Sequence, residues 1–134
     1  KDENGSAPVK KQLAEGGSGG RIDLTFLRQL SNGNEDFMRE MIVLFLEKTF
    51  PALEELREQS RNNDWEGVRM TAHRIKPSFR YIGSTEMQQA MAEIELLASS
   101  EQIHSEAICQ IIRMVDIRSQ SIFESLSNEL KSIQ

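Results

Sequence analysis

Apolar residues recur at helical spacing in five blocks from Arg21 onward, with no alternating apolar and polar run of the kind a half-buried strand needs. The shortest block, Asp23 to Leu30, spaces Leu24, Leu27 and Leu30 by three. It offers Asp23 as an N-cap before Ser31-Asn32-Gly33-Asn34 interrupts it. The second runs from about Glu35 to Ser60, with Phe37, Met41, Leu44, Phe45, Leu53 and Leu56 as its expected buried face. Pro51 falls inside it. Without an amide hydrogen, and crowding the turn before it, this proline predicts a kink near Glu47 to Pro51 or a helix boundary there.

Asn62-Asn63-Asp64 reads as a turn and cap, after which a third helix is expected from Trp65 to about Ile82, where Gly83 stops it. Trp65, Val68, Ala72, Ile75, Phe79 and Ile82 step by 3, 4, 3, 4, 3, the clearest periodicity in the chain. A fourth helix, about Thr85 to Ala98, places Met87, Ala90, Met91, Ile94, Leu97 and Ala98 on one side, with Ser84 or Thr85 as its cap. A fifth, about Ser105 to Ile133, carries Ile108, Ile111, Ile112, Val115, Ile122, Leu126, Leu130 and Ile133. Four long amphipathic helices can close around one core, so the expected fold is all-α: an antiparallel four-helix bundle with a short additional N-terminal helix over one end.

The bundle accounts for residues 21–134. Residues 1–20 mix charges with Pro8 and end in Gly16-Gly17-Ser18-Gly19-Gly20, too polar to build a core, and read as a flexible linker or the remnant of a fusion. At 134 residues and 38% apolar composition, one domain is expected.

Charge and cysteine content narrow the function classes. Lys and Arg number 16 against 21 Asp and Glu, a net charge of -5, which argues against nucleic-acid binding through a basic surface. The longest apolar run, Met41 to Leu46, falls far short of the roughly 20 residues a membrane helix needs, and no signal peptide is read at the start. Cys109, the lone cysteine, forms no intrachain disulfide. It reads as a small buried hydrophobe, and a reducing, cytoplasmic setting is expected. The six methionines read as core filler.

Candidate chemistry gathers on the third helix. At 100° per residue His73 lies about 130° from the centre of its helix's apolar stripe, so its imidazole should face outward. Arg69 lies one turn before it, Lys76 and Pro77 one turn after, and Arg80 two turns after. Such cations disfavour the imidazolium, favouring a neutral, nucleophilic ring, and they can hold the oxygens of a phosphoryl group. Taken alone, this pattern is also that of an ordinary solvated helix face.

The segment Ala72-His73-Arg74-Ile75-Lys76-Pro77-Ser78-Phe79-Arg80-Tyr81-Ile82-Gly83 resembles the histidine-phosphotransfer (HPt) family motif. In that motif Ala-His is followed by an aliphatic residue, Lys, a small residue, Ser or Ala, and later Gly. Ala72, His73, Ile75, Lys76, Ser78 and Gly83 match in register. One departure is Pro77, where the family usually has a Gly that clears space for a docking partner. Its missing amide also frees the His73 carbonyl, which predicts a local distortion beneath the histidine.

The resemblance implies a phosphorelay intermediate of two-component signalling that accepts a phosphoryl group on His73 from one receiver aspartate and passes it to another. Lys76 would stabilise the phosphoryl charge, and Arg69, Pro77, Ser78, Arg80 and Gly83 would form the partner-binding surface. The Gln or Glu that often orients the imidazole from the next helix falls, by ungapped spacing, at Glu95. No cofactor is expected in this domain, Mg²⁺ being expected on the partner receiver. The expected protomer is a monomer, without nucleic-acid or membrane contact, and a flexible tether fits fusion to a hybrid histidine kinase. Autonomous kinase activity is not expected, since the chain lacks a glycine-rich phosphate loop.

The competing reading is a non-catalytic helical adaptor that binds receivers or other signalling partners, for which Pro77 is the best argument. Retention of His73, Lys76, Ser78 and Gly83 in motif spacing weighs against it. A metal-binding bundle is not expected, because Glu66, Glu93 and Glu95 do not supply the Glu-x-x-His spacing of di-iron bundles. His104, the other histidine, lacks a basic cluster and reads as a plain surface residue.

Overall fold

The computed structural model describes residues 22–133, and all regular structure among them is helical. The elements are α1 (Thr25–Ser31), α2 (Glu35–Arg61), α3 (Trp65–Ile75), α4 (Ser78–Tyr81), α5 (Thr85–Ala98) and α6 (Ser105–Ile133). The linker expected at residues 1–20 lies outside the described residues.

Short polar side chains set the helix boundaries by satisfying amides that have no partner inside the helix. Asn34 Oδ1 accepts from the Phe37 amide at 3.0 Å to begin α2, and Asp64 Oδ1 accepts from the Gly67 amide at 3.0 Å to begin α3. Asp23 does the same for α1, accepting from the Thr25 amide at 3.0 Å, although Leu24 is the cap residue by backbone position. Ser84 caps α5 by position only: its hydroxyl is buried and has no partner among the described residues. Glycine is required at Gly83, where φ is +69° and a Cβ would come within 2.2 Å of the Asp23 carbonyl oxygen. The Asp23 amide in turn donates to the Ile82 carbonyl at 2.8 Å, fastening the start of α1 to the end of α4.

Around the core, α2 contacts α3, α3 contacts α5, α5 contacts α6, and α6 returns to α2. α1 lies on α2, and α4 lies on α5. All six residues of the stripe that begins in α3 and continues past Pro77 face inward: Val68, Ala72, Ile75, Phe79 and Ile82 are buried and Trp65 is packed against the core edge. Met87, Met91 and Ile94 from α5 and Ile108, Val115, Ile122 and Leu126 from α6 meet them. Cys109 is half-buried, with its Sγ 3.4 Å from the Ser60 hydroxyl, so the expectation of full burial is corrected.

Other expectations are also corrected. In the first half of α2 the buried face is Met38, Ile42 and Phe45, whereas Phe37 and Leu44 are exposed and Met41 only half-buried. The apolar run Met41 to Leu46 leaves the face ambiguous locally. The longer stripe through Thr49, Ala52, Leu53, Leu56 and Ser60 settles it, because Met38, Ile42 and Phe45 continue its 3-4 phase. Leu30 is likewise exposed, since α1 buries only Leu24 and Leu27 of its three leucines.

The helix expected over Trp65 to Ile82 is interrupted at Lys76-Pro77, giving α3 and the one-turn α4. Lys76 and Pro77 keep right-handed helical dihedrals, but the bonding tightens to the i to i+3 pattern: Phe79 donates to the Lys76 carbonyl at 3.3 Å and Arg80 to the Pro77 carbonyl at 3.0 Å. Phe79 and Ile82 therefore stay in line with Ile75 although the helical ladder is broken. Pro51 has no such effect, and α2 runs through it unbroken. Glu47 and Pro51 both face solvent, where water can serve the carbonyl that proline leaves unpaired.

Phe79 joins α4 to the core and meets Phe45 edge-on with centroids 5.6 Å apart. Truncation to alanine removes that contact and leaves a cavity, so Phe79→Ala should cost about 3–5 kcal/mol in urea-induced unfolding.

Candidate functional site

His73 stands on the last turn of α3, where its neighbours Ala72 and Ile75 point inward and hold the imidazole outward. Its side chain is 67% exposed, as its angular position predicts. Glu95 approaches from α5 and is only 21% exposed. One carboxylate oxygen, Oε2, lies 2.7 Å from His73 Nδ1, and the other, Oε1, accepts from Lys76 Nζ at 2.9 Å. A single carboxylate thus ties together the histidine, the lysine one turn after it and the neighbouring helix.

The electrostatics follow from this arrangement. The Lys76 hydrogen bond, and secondarily the one to His73, hold the Glu95 carboxyl below the ordinary value of 4.5 against an opposing effect of burial. Glu95 is therefore an anion near neutral pH. A carboxylate only accepts hydrogen bonds, so in the neutral imidazole Nδ1 must carry the proton that Glu95 receives, which leaves the Nε2 lone pair free.

The basic patch expected around His73 is largely neutralised. Lys76 is bound by Glu95; Arg69 is held by Glu66, with Nε 3.1 Å and Nη2 2.5 Å from its carboxylate; and Arg74 reaches Glu55 of α2 at 3.0 Å. Arg80 lies with its guanidinium 5.1 Å from the centre of the Phe26 ring. The group in direct contact with the imidazole is the carboxylate of Glu95, the position that ungapped motif spacing indicates. Spacing on one helix counts the cations but does not reveal Glu55, which α2 brings to Arg74.

The remaining motif residues take varied places. Pro77 is exposed one turn after His73, Ser78 is half-buried on the side facing α2, and Gly83 packs against the backbone of Asp23. His104 is exposed in the connection before α6. Among the described residues no three His, Cys, Asp or Glu side chains gather as metal ligands, and no helix is long and apolar enough to cross a membrane.

The fold and site define a helical bundle that presents one exposed, carboxylate-bound histidine. A family model for the Hpt domain matches residues 40–132, and the chain belongs to that family. Comparison with curated proteins and with solved structures gives no match. Membership assigns the chain a histidine-phosphotransfer role in two-component phosphorelays, a setting in which such domains interact with receiver domains.

Removing the lysine removes the largest influence on Glu95. In Lys76→Met the carboxyl should titrate closer to 4.5 than in the wild type, read from the side-chain carboxyl carbon shift. The sign for stability is that of a depressed acid. The contribution of Glu95 is fully present above 4.5 and is lost as pH falls through the lower folded value.

Proposed function

We propose that His73 is the phosphoacceptor of a relay, taking a phosphoryl group from the aspartate of one receiver domain and delivering it to the aspartate of another. The observation that carries this reading is the Glu95 contact at His73 Nδ1, 2.7 Å, because it leaves the opposite ring nitrogen as the nucleophile on an exposed side chain.

In the forward step the Nε2 lone pair attacks the phosphorus of the receiver's acyl phosphate. An N–P bond forms as the O–P bond breaks, and the receiver aspartate leaves as a carboxylate. Nδ1 keeps its proton, and the positive charge that develops on the ring lies against the Glu95 carboxylate. The return step to a second receiver reverses these changes. Mg²⁺ belongs to the receiver, where it screens the phosphoryl oxygens.

In the resting site Lys76 is bound to Glu95, so to meet a phosphoryl oxygen its flexible stem turns outward from that carboxylate. Arg69, Pro77, Ser78, Arg80 and Gly83 belong to the surface and turn around the histidine that a receiver would cover. The setting is cytoplasmic, and the domain serves as a monomer joined to a sensor kinase.

The decisive experiment is incubation with phosphorylated receiver domains and Mg²⁺, followed by mass spectrometry at neutral pH to map acid-labile phosphate. Phosphate on His73 that chases to a second receiver is the expected result. Binding without transfer would leave an adaptor instead. His73→Gln should abolish acceptance while keeping stability within about 0.5 kcal/mol, as befits an exposed side chain. Lys76→Ala should slow transfer by about tenfold to a hundredfold without abolishing it.

A separate readout tests Glu95 as the group that orients the ring. In Glu95→Ala, nitrogen NMR of the neutral imidazole should show the proton redistributed from Nδ1 towards Nε2, together with slower transfer. An unchanged tautomer ratio would remove Glu95 from this role.

A further inference from the structure

A cleft of about 660 Å³ opens between α2 and α6. Leu53 and Ser119 form its buried floor, and Phe50 and Phe123 meet edge-on at one end with centroids 5.5 Å apart. Phe50 is fixed from beneath by Phe45 of the core, 6.4 Å away and also edge-on, whereas Phe123 is 49% exposed. Ile117, 71% exposed, stands three residues before Gln120 on the α6 rim. Aromatic rings held in place by the core yet open to solvent lose little freedom when a partner covers them, and their burial contributes most to docking.

The charge around these rings is one-sided. Glu54, Asp116 and Glu124 line the cleft against one cation, Arg57, which Glu54 holds at 3.2 Å from one side and Asp116 from the other. Glu124 forms no ion pair among the described residues. Glu47, exposed and two turns before Glu54 on the same side of α2, extends the acidic rim. A second copy of this chain seated here would set carboxylates against carboxylates, so the cleft does not complement itself. A cationic partner meets no such cost. From Phe50 to Arg57 the α2 wall rises by about 10 Å, the length of two turns of a partner helix.

We infer that the α2–α6 cleft is the docking groove for a basic amphipathic helix of another protein, which lays an aliphatic side chain on Phe50 and Phe123 and sets Lys or Arg, one turn away, on Glu54 and Glu124. The helices follow one another around the core in the order α2, α3, α5, α6, so this edge of the bundle is opposite the α3–α5 edge where His73 meets Glu95. The groove can therefore be filled while the imidazole stays open. Its role is attachment: a second protein holds the domain by one face and leaves the other to its chemistry. The inference stands on the cleft alone and does not depend on the relay proposed above.

The test titrates the full chain against a fluorescent Lys–Leu peptide whose leucines fall on one helical face, and against a scrambled peptide of the same composition, reading anisotropy. The patterned peptide should bind at least about tenfold more tightly than the scrambled one, since only it can present an apolar face to the rings. Phe123→Ala and Glu124→Lys should each weaken it by about tenfold, the latter by a factor that shrinks with added salt. Glu101→Lys makes the same change of charge at an exposed position outside the cleft and should alter binding less than about twofold. Amide NMR of the wild type under titration locates the peptide without any variant: shifts should gather at Phe50, Arg57 and Phe123 and leave His73 unmoved. Equal binding of the two peptides, or an equal loss in Glu101→Lys, would reduce the attraction to net charge and overturn the groove. Shifts centred elsewhere would do the same. A protein dimer in sedimentation that Phe123→Ala dissociates would give the cleft to a second copy and overturn the basic partner.

Discussion

The burial of one stripe, Val68, Ala72, Ile75, Phe79 and Ile82, is the constraint on which the rest of this structure depends. It fixes the rotation of α3 about its own axis, and once that rotation is fixed His73 must point to solvent. It also brings α3 against α5, with the buried Ala72 placing little bulk between the two helices and Met91 and Ile94 answering from the other side. Glu95 next to Ile94 then arrives at the edge of the same contact, within reach of His73 and Lys76. The site is thus a product of the packing beneath it, positioned by apolar atoms that take no part in its chemistry.

Pro77 acts on this arrangement without undoing it. It removes one amide donor immediately after Lys76 and ends the α-helical ladder, yet the chain continues through helical dihedrals into α4, so Phe79 reaches the core as if the helix were continuous. Ser78 and Tyr81 of α4 line a cleft with Met41 and Leu44 of α2. In the same turn, Gly83 allows the backbone of Asp23 to close over the end of α4, which gives this glycine a packing reason for its presence apart from any partner. One proline and one glycine therefore shape the segment that follows the histidine: the first by a missing hydrogen, the second by a missing Cβ.

The candidate site is an exposed ring held by a mostly covered carboxylate, with the cation that could serve a phosphoryl group already bound to that same carboxylate. Its charges are close to balanced before any partner arrives. In the relay proposed above, an arriving phosphoryl group would compete with Glu95 for Lys76, and its transfer to the ring would strengthen the attraction between the ring and Glu95. Both changes would be short-range rearrangements of side chains.

The repeating 3-4 spacing determined the all-helical class, most helix boundaries and the outward direction of His73, though not the break that divides the expected third helix into α3 and α4, because periodicity is a property of the chain itself and the strongest stripe has only one way to be buried. Asp64 as a cap residue, and Gly83 as a stop, were legible for the same local reason. Motif spacing also pointed to Glu95, but only packing brought its carboxylate to 2.7 Å from the ring. Tertiary structure alone decided which side of the apolar run Met41 to Leu46 is buried, since a segment apolar on both sides has no preferred face until a neighbouring helix covers one. It also decided that most cations near His73 meet carboxylates, and that Leu44 and Tyr81 share a cleft, because both depend on distances between helices that no spacing along a single chain encodes.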